Sequence, residues 1–333
     1  MAPDIISMGE PMLEFNAAEE GSLSEVGQFN IGYGGDTSNF AVAASRLGGN
    51  VGYLTRLGDD QFGERFLRLW QKEGIDASHV ARDADAPTGI YFISRKAGEH
   101  FFTYYRKNSA ACRMSPENIP LDYIRKARLF HVSGISQGIS TSACDAVFKA
   151  MAVARETGVM VSYDPNLRLK LWPLDRARAI IHQAAAMADI VLPSLEDAVA
   201  LTGMEDEKEI ARFYLNLGPS VVVLKLGDRG ALLATREDVD GVTSLEPQRF
   251  SAHKVNSVDM TGAGDTFDGG FAVGYLAGWP LGKCVQFANA AAALATTGLG
   301  AVDPIPTREE VDLLMAGQAG RKNLNKANTE PLK

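Results

Sequence analysis

Short apolar runs alternate with segments of helical periodicity along almost the whole chain. Several of the apolar runs are rich in Val and Ile without strict alternation, as expected for strands buried on both faces. This rhythm predicts an α/β fold of three layers, a mostly parallel central sheet with helices on both faces. The predicted strands are Asp4–Met8, Val51–Arg56, Arg128–Val132, Val159–Tyr163, Ile190–Leu192 and Ser220–Leu226. The predicted helices are Asn39–Leu47, Gly63–Glu73, Ser142–Thr157, Asp175–Met187, Ser194–Leu201, Glu207–Leu217, Asp265–Leu276, Leu281–Thr297 and Thr307–Ala316.

Two stretches interrupt this rhythm with short strands and no helix between them. Gly89–Ser94 and His100–Arg106 are aromatic-rich and are separated by a Lys-Ala-Gly-Glu turn, which predicts a β-hairpin. We expect residues 11–35 and 88–113 to form a small β-sheet lid, although an irregular edge of the main sheet is the alternative. Residues 1–10, 36–87 and 114–320 would then form the α/β body, and residues 321–333 a loosely ordered tail.

Charge and composition exclude several classes of function. The 333 residues carry a net charge of −8, which argues against nucleic-acid binding because such binding depends on phosphate neutralisation. Three widely spaced cysteines favour reduced thiols over disulfides or a zinc site. No secretory signal and no apolar run of membrane-spanning length is apparent. The sequence therefore predicts a cytoplasmic protein that binds neither nucleic acid nor membrane.

The run Thr261-Gly262-Ala263-Gly264-Asp265 opens a predicted helix. Small residues at a helix start leave the first N–H groups open to an anion, and the helix dipole favours negative charge there. An aspartate beside such a site can accept the proton of an attacking hydroxyl during phosphoryl transfer. Close helix packing is an alternative reason for the glycines. A dinucleotide fingerprint is another, but that motif belongs in the first strand–turn–helix of its domain.

This run resembles the second signature of the ribokinase-like (PfkB-type) carbohydrate kinases. The first signature is present as Gly34-Gly35-Asp36-Thr37-Ser38-Asn39-Phe40-Ala41, followed by Leu47-Gly48 and Leu57–Gly63. The resemblance implies a ribokinase-like αβα sandwich with a β-sheet lid and ATP as the phosphoryl donor. It also implies that Asp265 is the catalytic base and that Gly262, Ala263 and Gly264 form the anion hole.

Further positions are assigned by the same resemblance. The nucleotide would be contacted from Asn166, Arg168, Lys225, Gly227, Gly230, Asn256, Gly262, Gly264 and Asn289. For Asn289, a hydrogen bond to neighbouring backbone is an equally weighted alternative. The resemblance implies Mg²⁺, with Asp197 acting through water where the family often has Glu. Met260 interrupts the usual Asp-Thr-Thr, which leaves a monovalent-cation requirement open.

Two arginines could meet a substrate carboxylate, whose burial is costly without a cation. Arg106 is expected on the second lid strand, on the same face as Tyr104 and Phe102. Arg168 follows a buried strand, and in open α/β sheets the carboxyl ends of strands form the ligand crevice. An ion-paired surface arginine is the alternative for Arg106.

Within the family, these residues most resemble the 2-keto-3-deoxygluconate kinases. That resemblance assigns the substrate to Gly34, Gly35, Asn39, Tyr91, Tyr104, Arg106, Arg168, Asp265 and Asp303, with helix capping as the alternative for Asp303. The reaction would be phosphorylation of the primary hydroxyl of 2-dehydro-3-deoxy-D-gluconate. Lids of this family often pair, so a homodimer or higher homo-oligomer is permitted. A fructokinase or ribokinase, a non-catalytic sensor on the same scaffold and a dehydrogenase are the rival interpretations.

Overall fold

A computed structural model of the chain describes residues 2–96, 99–236 and 246–317. Its strands, in chain order, are β1 (Ile5–Met8), β2 (Met12–Ala17), β3 (Phe29–Gly34), β4 (Val51–Leu54), β5 (Arg56–Gly58), β6 (Ala81–Asp83), β7 (Ile90–Lys96), β8 (Glu99–Tyr105), β9 (Leu129–Ser133), β10 (Met160–Asp164), β11 (Ile190–Val191), β12 (Val221–Lys225), β13 (Ala231–Thr235) and β14 (Gln248–Phe250). Its α-helices are α1 (Asp36–Arg46), α2 (Gln61–Lys72), α3 (Leu121–Ile124), α4 (Gly134–Gly138), α5 (Thr141–Glu156), α6 (Leu174–Met187), α7 (Leu195–Thr202), α8 (Glu207–Leu217), α9 (Ala263–Leu276), α10 (Leu281–Ala295) and α11 (Arg308–Met315).

The large sheet has eight strands in the order β14-β13-β12-β11-β10-β9-β1-β4. The six strands from β12 to β4 are parallel, whereas β13 and β14 add to the edge in antiparallel fashion. Because parallel strands end on the same edge, the residues that follow β1, β10 and β12 are brought together there. That edge carries Asn166 and Arg168, which follow β10, and Lys225, which ends β12.

Helices cover both faces of this sheet, which gives the predicted three layers. Alternate residues of each strand enter different cores, since successive side chains of a strand point to opposite faces. In β1, Ile6 joins a core with residues of α5, α6 and α8, while Ile5 joins a core with residues of α1, α9 and α10. The three-layer αβα architecture expected from the sequence is therefore confirmed.

A second sheet of four strands has the order β3-β2-β7-β8. β2 pairs with β3 and β7 with β8 in antiparallel fashion, and β2 and β7 are parallel. The register places Glu14, Tyr91 and Tyr104 side by side on one face. On the opposite face Phe15 stacks on Phe92 and meets Phe62 of α2. One face of this sheet is therefore apolar, and the other carries the row formed by Glu14, Tyr91 and Tyr104.

The sequence predictions agree with these elements to within a few residues. Glu207–Leu217 is the observed helix α8, and the predicted aromatic hairpin is the pair β7–β8. One prediction is wrong in detail: β8 ends at Tyr105, so Arg106 lies just after the strand instead of on it. The predicted tail, residues 321–333, lies outside the described residues. The division into body and lid stays a prediction, although the four-stranded sheet lies within the two proposed lid segments.

The described part of the chain contains no helix long and apolar enough to cross a membrane. Within the same ranges, no three or more His, Cys, Asp or Glu side chains are grouped so that they could hold a metal ion by themselves. The cysteines Cys112, Cys144 and Cys284 are free thiols.

Candidate active site

Asp265 lies in the first turn of α9, and the residue before the helix has a conformation that favours glycine. Gly262 has φ +76°, and a Cβ there would lie 2.8 Å from the carbonyl oxygen of Ala301. The preceding loop is held by Asp259, whose carboxylate accepts from the Thr261 N–H at 2.9 Å and from the Gly300 N–H at 2.9 Å. The glycine is therefore required by the backbone as well as by any ligand.

The start of α9 is open to an anion. The N–H of Ala263 donates to the carbonyl of Met260 at 3.2 Å. Among the described residues, none accepts a hydrogen bond from the N–H of Gly264 or of Asp265. Gly264 is exposed. Two unpaired donors at the positive end of a 14-residue helix form a suitable site for a phosphate group.

Helix α1 approaches α9 closely and orients the Asp265 carboxylate. A Cβ at Gly269 would lie 2.9 Å from the Cβ of Ala43 and 2.9 Å from the backbone nitrogen of Ala44. Only glycine therefore permits this packing. The contact brings Asn39 of α1 to Asp265, where its Nδ2 donates to Oδ2 at 2.8 Å. The two signature motifs of the sequence thus meet through this hydrogen bond.

The surroundings of Asp265 disfavour the ionised form of its carboxyl and so raise its pKa. Burial raises the pKa of its carboxyl to about 7, and the charges of Asp36 and Asp164 act in the same direction. The hydrogen bond from Asn39 and the charge of Lys225 lower the pKa, but by less. A carboxyl with a pKa near neutrality is well suited to accept a proton as a general base.

Lys225, the last residue of β12, lies in a buried ion-pair cluster. Its Nζ donates to Asp164 Oδ2 at 3.0 Å and to the two carboxylate oxygens of Asp268 at 3.0 and 3.1 Å. A Cβ at Gly264 would lie 3.6 Å from the same nitrogen. Lys225 was predicted from the family resemblance to contact the nucleotide; in the structure its hydrogen bonds go to these aspartates.

Two tyrosines of the four-stranded sheet face the body. The Tyr91 hydroxyl donates to Glu14 Oε2 at 2.5 Å, and its ring stacks on Tyr104 at 5.8 Å. Burial raises the pKa of the Tyr91 phenol, and the charges of Glu14, Tyr104 and Asp265 add to this effect. Burial likewise raises the pKa of Glu14. Since the proton of Tyr91 is directed at Glu14, its oxygen remains available as an acceptor.

Two cationic side chains lie close to the ring of Tyr104. The guanidinium of Arg106 lies 5.9 Å from the Tyr104 ring centroid, and the Nζ of Lys170 lies 5.7 Å from it. Arg106 is ion-paired with the buried Glu10, but its side chain is only 12% exposed, so it is not the surface arginine of the alternative interpretation. The Nε of Arg106 is buried with no hydrogen-bond partner among the described residues. This buried donor is therefore left unsatisfied by the protein groups that the structure describes.

The loop after β10 carries the second predicted arginine. Arg168 is exposed, and its guanidinium donates to the Leu167 carbonyl at 2.8 Å. Asn166 has φ +34° and donates through Nδ2 to Asp36 Oδ2 at 3.0 Å. Asp197 Oδ2 accepts from the Leu167 N–H at 3.2 Å, and burial raises the pKa of this carboxyl. The loop is thus fixed by carboxylates on α1 and α7.

The other predicted residues lie around this centre or further along the sheet. Gly34 ends β3, Gly35 precedes α1 with φ +99°, and Gly227 and Gly230 bound the turn between β12 and β13. Asn289 on α10 is buried and donates to the carbonyls of Phe250 and Ser251 at 3.4 and 3.3 Å, the backbone contact that was the alternative for it. Asn256 and Asp303 are exposed. Asp303 lies near enough to Glu14 for its charge to raise that pKa further.

Comparison with known proteins agrees with this geometry. The profile described as "pfkB family carbohydrate kinase" matches residues 2–308. The chain belongs to the pfkB family of carbohydrate kinases. It is 37% identical to a 2-dehydro-3-deoxygluconokinase of Bacillus subtilis over 322 residues, which cover 96% of this chain and 97% of the relative.

Two further comparisons extend the family relationship. A fructokinase-2 of Solanum lycopersicum is 33% identical over 329 residues, with 95% of this chain and 97% of the relative covered. A solved E. coli structure with ATP and Mg²⁺, described as a ribokinase II, superposes with a TM-score of 0.86 at 25% identity, and covers 95% of this chain and 99% of that one. This chain is accordingly a sugar kinase with the fold of its family.

Several residues of the kinase site were not predicted as site residues from the sequence. They are Glu10, Glu14, Asp36, Asp164, Lys170, Asp259 and Asp268. Glu10 follows β1 and Asp164 ends β10, so both lie at carboxyl ends of parallel strands. The rule that ligand-binding residues follow the carboxyl ends of parallel strands, which selected Arg168, would also have selected Glu10 and Asp164. Glu14 and Asp268 carried no comparable signal, because each lies inside an element and meets partners distant in sequence.

The predicted association of two copies through the lid stays a prediction. The register places Ile31, Phe101 and Tyr105 on the face of the four-stranded sheet opposite to Tyr91. Their exposed fractions are 46%, 48% and 61%. This face of the sheet exposes large apolar side chains, which is compatible with such an association.

Proposed function

We propose that this kinase transfers the γ-phosphoryl group of ATP to the primary hydroxyl of 2-dehydro-3-deoxy-D-gluconate, giving the 6-phosphate. The observation that carries the proposal is a row of groups with a base at one end and cations at the other. Asp265 lies near Tyr91, Tyr91 stacks on Tyr104, and Arg106 and Lys170 flank Tyr104. A substrate with a hydroxyl at one end and a carboxylate at the other fits this row.

The chain's own residues supply the steps around the reacting hydroxyl. Asp265 would accept the hydroxyl proton, oriented for this by the hydrogen bond from Asn39. The unpaired N–H groups of Gly264 and Asp265 would stabilise the negative charge of the transferring group, together with the dipole of α9. Tyr91 would accept a hydrogen bond from a substrate hydroxyl, since its own proton is directed at Glu14.

The open start of α9 fits the phosphates of ATP, because the N–H groups of Gly264 and Asp265 have no acceptor among the described residues and Gly264 is exposed. Mg²⁺ would offset the negative charge of the phosphates. Asp197, whose carboxylate accepts from the Leu167 N–H, is the residue that would hold one of its waters. The E. coli relative was solved with ATP and Mg²⁺, which supports the same pair here.

A coupled assay of ADP release tests the proposal directly. Purified protein is offered 2-dehydro-3-deoxy-D-gluconate, its galactonate-derived epimer, gluconate, fructose and ribose, each with ATP and Mg²⁺. We expect the highest kcat/KM for a keto-deoxy acid. A higher kcat/KM for fructose would identify the nearest rival, a fructokinase, in line with the similarity to the tomato enzyme. No ADP release with any sugar would favour the non-catalytic sensor.

Lys170→Met tests whether a cation beside Tyr104 reads the acid end of the substrate. Charge-assisted hydrogen bonds contribute about 1.5–3 kcal/mol, so kcat/KM for the keto acid should fall roughly 10- to 150-fold. The value for a neutral sugar should change far less. Arg125→Met, which removes an exposed arginine paired with Asp122 on α3, is the matched control and should change neither. Equal losses for acid and neutral sugars would contradict a carboxylate-reading role.

A further inference from the structure

The hydrogen-bonding capacity of the Lys225 ammonium group is fully used inside the protein. An ammonium has three donors, and three carboxylate oxygens from Asp164 and Asp268 lie within 3.1 Å of Nζ. The side chains of Lys225, Asp164 and Asp268 are 12%, 7% and 1% exposed. A nucleotide phosphate would have to displace one of these carboxylates to bond Lys225. The contact assigned to this lysine by family resemblance is therefore hard to make.

The cluster ties the first turns of α9 to the edge of the large sheet. Asp164 is the last residue of β10 and Lys225 the last of β12. Asp268 follows Asp265 by three residues, so the two carboxylates belong to adjacent turns of one helix face. Fixing Asp268 thus fixes the turn that carries Asp265. A displacement of about 1 Å in a reacting group can cost on the order of 10²-fold in rate.

The cluster also sets the charge around Asp265. The groups that act on this carboxylate are Asp36 and Asn39 from α1, Tyr91 from β7, Asp164 from β10 and Lys225 from β12. Asp268 lies three residues further along the same helix, and the charge of Arg168 acts on Asp36. Asp36 and Asp164 disfavour ionisation of Asp265, whereas Lys225 favours it. Removal of the lysine would leave a group of aspartates without its nearest cation.

We propose that Lys225 is a positioning residue for phosphoryl transfer: clamped between Asp164 and Asp268, it holds the start of α9 in place and offsets the negative charge around Asp265. It acts through these carboxylates and not as a ligand of the nucleotide. The inference rests on the proposed role of Asp265 as base. It does not depend on which sugar is accepted.

The test is the pH profile of kcat/KM in Lys225→Met, measured with the best sugar of the panel. We expect kcat to fall at least about tenfold at pH 7, while the KM for ATP changes less than about threefold. The acid limb of the profile should move to higher pH, because Asp265 loses a favourable charge. Lys225→Arg keeps the charge and should keep the acid limb. Lys149→Met, on an exposed position of α5, is the control.

Asp164→Asn provides a second variant with the opposite expectation. It removes a negative charge near Asp265 but leaves Lys225 bonded to Asp268, so the acid limb should move to lower pH. This variant carries the test should Lys225→Met fail to fold, which circular dichroism would reveal. Opposite shifts in the two variants are not expected from a general loss of structure.

Two outcomes overturn the inference. One is a tenfold or larger rise of the KM for ATP in Lys225→Met with an unmoved acid limb, which would make the lysine a nucleotide ligand. The other is an acid limb that stays in place in Asp164→Asn and Lys225→Met alike. Failure of the proposed function is seen separately, in the sugar panel and in the turnover of Asp265→Asn.

Discussion

The guanidinium of Arg106 is ion-paired with the carboxylate of Glu10, although 96 residues separate them in sequence. The Glu10 side chain is completely buried and also accepts a hydrogen bond from the Ser109 hydroxyl at 2.7 Å. Glu10 follows β1 of the large sheet, whereas Arg106 follows β8 of the small one. This ion pair therefore joins the two sheets at the candidate substrate site.

Breaking the pair from either side should cost stability. Loss of one partner of a buried pair destabilises by about 3–5 kcal/mol, because the other charge is left unpaired. We expect Glu10→Gln and Arg106→Met each to lower the free energy of unfolding in urea, and the double variant to lose less than the sum. A coupling free energy of at least about 1 kcal/mol would support the pair. Additive losses would mean that the two side chains stabilise the fold independently.

Asp265→Asn should remove most of the turnover and leave nucleotide binding nearly intact. General-base catalysis contributes about 10²–10⁴-fold, and the amide cannot accept the proton. Asn39 can still donate to the new amide oxygen, so the local geometry should persist. The measurements are kcat by ADP release and the dissociation constant of ATP by calorimetry. Turnover near the wild-type level would remove Asp265 from its assigned role.

The same substitution should change how stability depends on pH. Burial raises the pKa of Asp265 from 3.8 to about 7, so between these values the folded state binds more protons than the unfolded state. Stability from this group is therefore fully present below about pH 4 and is lost as pH rises towards 7. Asp265→Asn lacks this loss. Its melting temperature relative to wild type, without ligands, should rise from pH 5 to pH 8; a constant difference would contradict the raised pKa.

The elements and the site differ in how far the sequence predicts them. Helices such as α8 follow from periodicity, which is local, and the position of Arg168 follows from the rule for strand ends. The Lys225–Asp268 and Glu10–Arg106 pairs could not be predicted in this way, because their partners are 43 and 96 residues apart. Such contacts depend on how α9 and the small sheet dock onto the large sheet. Sequence patterns of single elements do not encode that docking.

Gly34 provides a test of how tightly the small sheet meets Tyr91. A Cβ at position 34 would overlap the Tyr91 hydroxyl and lie 2.8 Å from its ring carbon Cε1. Gly34→Ala should therefore displace the hydroxyl from Glu14, lower the free energy of unfolding by about 1–3 kcal/mol and raise the KM for the sugar.

Removal of the hydroxyl should relieve part of this overlap. The double variant Gly34→Ala/Tyr91→Phe should be less destabilised than the sum of the single variants, measured by urea unfolding. Gly27→Ala is the matched control, because a Cβ there meets nothing closer than Glu19 Oε1 at 4.0 Å. Strictly additive losses would show that the strain of Gly34→Ala arises from other neighbours. Relief in the double variant would instead make the Tyr91 hydroxyl the reason that glycine occupies this position.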